Sequence, residues 1–159
     1  MDKSAAHDWA VAHLNDYTEP LNLNDWAIRV EVCASLENSD GDVLAGVCHA
    51  LPLYERAIIQ LSSESADDER SLADTLRHEL LHVVLSDAET LWTAIEAAVE
   101  EGPLRDVLHN AHVAACERQV LKLEYVFNRL AAKHDIFTPP AKKPRKPRKP
   151  RGSNASTHN

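Results

Sequence analysis

His78, Glu79 and His82 stand in the run Leu76-Arg77-His78-Glu79-Leu80-Leu81-His82-Val83-Val84-Leu85. On an α-helix, positions four apart share a face one turn apart, so His78 and His82 can direct two imidazoles at a single metal ion. Glu79 then stands beside that ion, next to any water bound to it. Two neutral imidazoles, an open coordination position and a proton-accepting carboxylate are what zinc-assisted cleavage of a peptide bond requires. The flanks suit this chemistry. Arg77 is the sole charge near the motif besides Glu79, and the surrounding leucines and valines predict a helix packed into a core, where histidines stay neutral and able to bind metal.

The elements that must position these side chains follow from periodicity. Ala6, Trp9, Ala10, His13, Leu14 and Tyr17 form one stripe and predict a first helix over residues 4 to 18, closed before Pro20. Trp26, Ile28, Val30 and Val32 alternate with Ala27, Arg29 and Glu31, the pattern of a half-buried strand. Asn38-Ser39-Asp40-Gly41-Asp42 reads as a turn, a second strand spans Val43 to Leu51, and a third runs from Ala57 to Ser62. From Asp67 the period becomes helical, with Leu72, Leu76, Leu80 and Val83 on one stripe. Ser86-Asp87-Ala88-Glu89 has the form of a capping box, which predicts that the active-site helix stops there and another begins, burying Leu91, Trp92, Ile95 and Val99. Gly102-Pro103 ends that helix and opens a last one through Val113, Val120, Leu121, Phe127 and Leu130. The expected class is α+β: an N-terminal helix, a small three-stranded, mostly antiparallel sheet, the active-site helix, then a C-terminal helical hairpin.

A peptidase zinc normally takes a third protein ligand. The extended metzincin pattern would need Gly and then His or Asp where Leu85 and Ala88 stand, so the ligand must come from later in the chain. A helix over residues 86 to 101 runs out roughly 24 Å, and its successor returns antiparallel. Counted from Leu104, His109 lies about 8 Å along the return, His112 about 12 Å, Glu117 about 20 Å and Glu124 about 30 Å. Glu117 comes closest to the end of the active-site helix, with Glu124 next in line and His109 and His112 placed on the helix surface. Either of those histidines, or Tyr54 or Tyr125, could reach over a substrate carbonyl.

The net charge of −8 conceals a division. Lys142, Lys143, Arg145, Lys146, Arg148, Lys149 and Arg151 bring seven basic groups and no acids. The remainder holds 10 Lys plus Arg against 25 Asp plus Glu, or −15. Proline at every third position and mutual repulsion predict a disordered basic tail over residues 139–159, following a single domain over residues 1–138. The tail suits nonspecific, salt-sensitive contact with nucleic acid phosphates, and lacks the aromatics that stack on bases. Cys33, Cys48 and Cys116 are odd in number and widely spaced, which argues against a disulfide framework or a cysteine zinc site. No apolar stretch reaches membrane-spanning length and residues 1 to 8 have no signal-peptide core, so a cytoplasmic protein that does not enter membranes is expected.

Residues 25 to 130 resemble the gluzincin-type zinc metallopeptidases, above all minimal single-domain forms of the kind encoded in phage genomes. The resemblance lies in the strand opened by Trp26, the segment Ala45-Gly46-Val47-Cys48, the strand Ile58-Ile59-Gln60-Leu61-Ser62, Thr75 three residues before His78, the His-Glu-Leu-Leu-His motif, and a glutamate on a later helix. It implies a zincin-like fold, one Zn2+ held by His78, His82 and Glu117, Glu79 as general base, and, for a phage-encoded chain, location in the host cytosol. Ala45-Gly46-Val47-Cys48 and the strand after it also look like the SprT-like proteases, some of which cut proteins cross-linked to DNA. Their third ligand is a histidine, for which this chain offers only His109 or His112.

The expected function is metalloendopeptidase activity on a protein or peptide, which could dock in extended form along an exposed sheet edge. The alternatives are a nucleic-acid-associated accessory protein whose metal site is structural or vestigial, and a SprT-like protease acting on DNA-bound proteins.

Overall fold

Fifteen residues of amphipathic helix, a group of short β-rich runs and two long stretches free of internal proline and glycine leave few ways to build a core. The computed structural model describes residues 1–134; the basic stretch 142–151 and the domain boundary expected at residue 139 lie outside them. Helix α1 (Lys3–Thr18) is followed by strands β1 (Ala27–Cys33), β2 (Leu36–Glu37), β3 (Val43–Leu44), β4 (Gly46–Leu51) and β5 (Arg56–Ser62), then α2 (Glu69–Ala98) and α3 (Pro103–His134). A single 3-10 turn, Pro52–Tyr54, links β4 to β5. The fold is α+β, as the pattern of periods predicts, and no described helix is long and apolar enough to cross a membrane.

The sheet has the order β1-β5-β4, with β1 parallel and β4 antiparallel to β5. It is mixed, where a mostly antiparallel sheet was expected. Burial explains the order. Strand β5 hides Ala57, Ile59 and Leu61 and so takes the centre, while β4, which carries Gly46 and the exposed His49 and Leu51, is left at the edge. The segment expected as one strand from Val43 to Leu51 is divided at Ala45: β3 pairs with β2 in a small hairpin, and β4 joins the main sheet. Asn38 closes that hairpin, its side-chain oxygen accepting from the backbone N–H groups of Asp40 and Asp42.

Helix α2 begins with a capping box, but at Asp68 and Ser71: each side chain accepts from the other residue's backbone N–H. It does not stop at Ser86. The Ser86 hydroxyl is buried and donates to the Val83 carbonyl within the helix, so it cannot cap a new one, and no proline or glycine interrupts the chain before Gly102. The C-terminal hairpin is therefore α2 and α3 themselves, rather than two further helices.

The core lies between the sheet, α1 and the first half of α2. Leu72, Leu76, Leu80, Leu81 and Val83 are all but inaccessible and pack with Ile59, Leu61, Ala6 and Ala10. Each such side chain contributes about 1.5–3 kcal/mol by leaving water, which fixes the rotation of α2 about its axis and so decides where the histidines point. The second half of α2 is different: Leu91 and Ile95, expected on a buried face, are exposed, while Trp92 stacks on His112 of α3. No disulfide joins Cys33, Cys48 and Cys116.

Candidate metal centre

Because Leu76, Leu80 and Val83 fill the core, His78, Glu79 and His82 fall on the neighbouring face of α2, between edge strand β4 and helix α3. They line a cleft of about 1010 Å³ whose walls include Ala45, Gly46, Val113, Glu117 and Glu124. Helix α3 returns antiparallel to α2. Arg105 and His109 meet Glu96, His112 meets Trp92, Glu117 meets His82, and Glu124 meets His78.

His78 Nε2 and His82 Nε2 lie 3.3 Å apart, and the Glu117 carboxylate oxygens lie 3.5 Å from the first and 3.3 Å from the second. Donors in a tetrahedral shell with bonds near 2.0–2.1 Å stand about 3.3–3.4 Å from one another. The three side chains expected as ligands are thus brought together at the separation one small ion imposes, and they could hold a metal ion. Two imidazoles and one carboxylate form a donor set suited to zinc.

The other expected candidates are sorted by the same geometry. Glu124 reaches His78 on the opposite side of its ring, 3.5 Å from Nδ1, with a side chain only 18% exposed. A proton on Nδ1 directed at that carboxylate leaves Nε2 as a lone pair facing His82 and Glu117. His109 pairs with Glu96 at the mouth of the cleft. His112 stacks on Trp92 and approaches the Cys116 sulfur at 3.5 Å, away from the trio. Tyr54 is exposed on the 3-10 turn, and Tyr125 lies under the Arg129 guanidinium beside a separate hollow. Arg77 pairs with Asp74 at 2.8 Å.

Glu79 is 6% exposed. Burial, and then the charges of Glu117 and Glu124, push its carboxyl from 4.5 up to about 8. Asp74 is paired with Arg77, but Glu79, Glu117 and Glu124 share the cleft with no lysine or arginine among its described lining residues, and a divalent cation held there would favour the ionised form of Glu79.

One residue whose role the sequence reading did not assign is Gly46. A Cβ built on it would lie 2.7 Å from Glu79 Oε1, 2.8 Å from Glu79 Cγ and 2.8 Å from Thr75 Cγ2. The strand passes so close to α2 that only glycine leaves room for the carboxylate. A glycine inside an otherwise β-forming run is the signal that points to such an approach. No family model, curated protein or solved structure matches this chain.

Proposed function

We propose that the chain is a zinc-dependent metallopeptidase, with His78, His82 and Glu117 holding one Zn2+ and Glu79 acting as general base. The observation that carries this reading is the convergence of two Nε2 atoms and a carboxylate from a second helix at 3.3–3.5 Å, beside a buried glutamate and an edge strand. When bound there, zinc supplies Lewis acidity to the scissile carbonyl and acidifies water, which the protein's own groups do not. Glu79 takes the proton from the attacking water as the C–O bond forms and delivers it to the amine as the C–N bond breaks. Its burial keeps bulk water from competing for that proton. Strand β4 has no further strand on its outer side among the described residues, so an extended polypeptide can pair with its N–H and C=O groups and lie across the cleft.

The order of strands, motif and later glutamate also supports the resemblance to minimal gluzincin-type enzymes over the SprT-like one, since neither His109 nor His112 joins the trio. Zinc-loaded protein should hydrolyse an unstructured protein such as casein, and Glu79→Gln should abolish this with zinc still bound. Activity retained by that variant would refute the assignment.

A further inference from the structure

The cleft does not end at the metal cluster. In the β4–β5 ladder Gly46, Cys48 and Ala50 pair with Leu61, Ile59 and Ala57, and directly paired residues project to the same side of a sheet. Leu61, Ile59 and Ala57 are buried, and a Cβ at Gly46 would point into Glu79 and Thr75, so this is the α2 side. Four residues along, Ala50 borders a second groove with Ser86, Thr90 and Ala94 of α2, roofed by Leu53 and Tyr54 of the 3-10 turn. Residues 79, 86, 90, 93 and 97 follow one helical face, so cleft and groove share the same floor.

The distances agree. Four residues of strand span about 13 Å, and along α2 Ser86 and Thr90 lie about 10 Å and 16 Å beyond Glu79. The groove encloses about 500 Å³, and none of the described residues that line it is charged. Two of its hydroxyls are turned inward, Ser86 donating to the Val83 carbonyl and Thr90 to the Ser86 carbonyl, and Ala50, Leu51, Pro52, Leu53, Ala94 and Ala97 add carbon to the lining. Leu53 and Tyr54 are 83% and 72% exposed.

We propose that this groove is a remote subsite for an apolar side chain of an extended polypeptide substrate. That side chain belongs to the residue four positions from the one lying over the metal cluster, toward the Leu51 end of β4. This rests on the peptidase reading above. A strand paired with β4 turns every second side chain toward α2, so residues four apart both face it. The first meets the cluster and the other meets the groove.

The test uses a series of labelled Ser/Ala peptides, each carrying a single Leu at a successive position. Binding is measured by fluorescence anisotropy on the zinc-loaded Glu79→Gln chain, and cleavage on the unsubstituted chain, which also fixes the register. Leu four residues from the cleavage point should bind about 10-fold more tightly than the peptide without Leu, as burial of one such side chain implies. Ala94→Glu, at an exposed helical position, should remove that preference. A flat profile, or a preference that survives Ala94→Glu, would overturn the proposal. So would a change in sedimentation showing that the groove instead binds a second copy of the chain. Cleavage without positional preference defeats the subsite alone, whereas Leu-dependent binding that Ala94→Glu removes, without any cleavage, supports the groove and defeats the peptidase reading.

Discussion

Replacing Gly46 by alanine adds one carbon where the structure has room for none. The new Cβ would sit 2.7 Å from Glu79 Oε1 and 2.8 Å from both Glu79 Cγ and Thr75 Cγ2. Carbon atoms in ordinary contact stand at least about 3.4–3.5 Å apart, so β4, α2 or the Glu79 side chain must give by roughly 0.6 Å or more. Helix α2 is fixed by Leu76, Leu80 and Val83 in the core, and β4 by its ladder to β5. The Glu79 side chain is the part free to rotate, and a displacement near 1 Å in a reacting group costs about 10²-fold in rate. Residual overpacking against Thr75 adds about 1–3 kcal/mol of destabilisation. None of the three crowded atoms belongs to His78, His82 or Glu117, so the metal site itself should be untouched. Gly46→Ala should therefore bind zinc within about 3-fold of the unsubstituted chain by chelator competition, lose about 100-fold in kcat, and melt at a lower temperature. Thr75→Ser, which removes one of the crowding atoms, should return part of the lost stability. Full activity together with an unchanged melting temperature would show that Glu79 does not need the space at Gly46.

Three further outcomes follow from the same geometry. Glu124→Ala removes the carboxylate behind His78 Nδ1 and should weaken zinc binding about 10–100-fold, with Glu124→Gln, which keeps an acceptor, less affected; equal affinity in all three proteins would deny Glu124 an orienting role. Because the Glu79 carboxyl is raised from 4.5 to about 8, the metal-free fold holds a proton that the unfolded chain gives up. The stability this contributes is complete below pH 4.5 and fades as pH rises through 8, and Glu79→Gln should flatten that dependence. At pH 7 zinc binding should expel this proton, so calorimetry in buffers of different ionisation enthalpy should find about 0.9 proton fewer released by Glu79→Gln; no difference would contradict the raised value. Deleting residues 139–159 should abolish low-salt binding to DNA or RNA, since the remaining chain is strongly acidic, and unchanged binding would remove the basic stretch from any such role.

Much of the site was legible in the sequence because its parts are local or joined by one measurable path. His78 and His82 lie one turn apart on any helix, so their common direction needs no knowledge of the fold. Glu117 was reached through a length argument that wrongly divided α2 at Ser86 and still arrived. The count runs back from the turn at Gly102-Pro103, and a helix rises 1.5 Å per residue whether or not its outgoing partner is interrupted. Ser86-Asp87-Ala88-Glu89 misled because a serine at helical spacing can donate to the carbonyl three residues back as readily as it can cap. The parallel pairing of β1 with β5 was not legible, since strand order depends on which face each strand buries against residues distant in sequence. Glu124 could be placed within reach of the site, but not behind the His78 ring, because that depends on the rotation of α3. Gly46 was visible throughout, and only the position of Glu79 beneath it shows what it is for.

The central claim is that Glu79 acts on a reaction at a metal held by His78, His82 and Glu117. It is tested most directly by measuring, in one preparation, bound zinc and casein hydrolysis for the unsubstituted chain and for Glu79→Gln. One zinc per chain in both proteins, with hydrolysis only in the first, is the predicted result. Equal hydrolysis by the two, or no zinc in either, would contradict it.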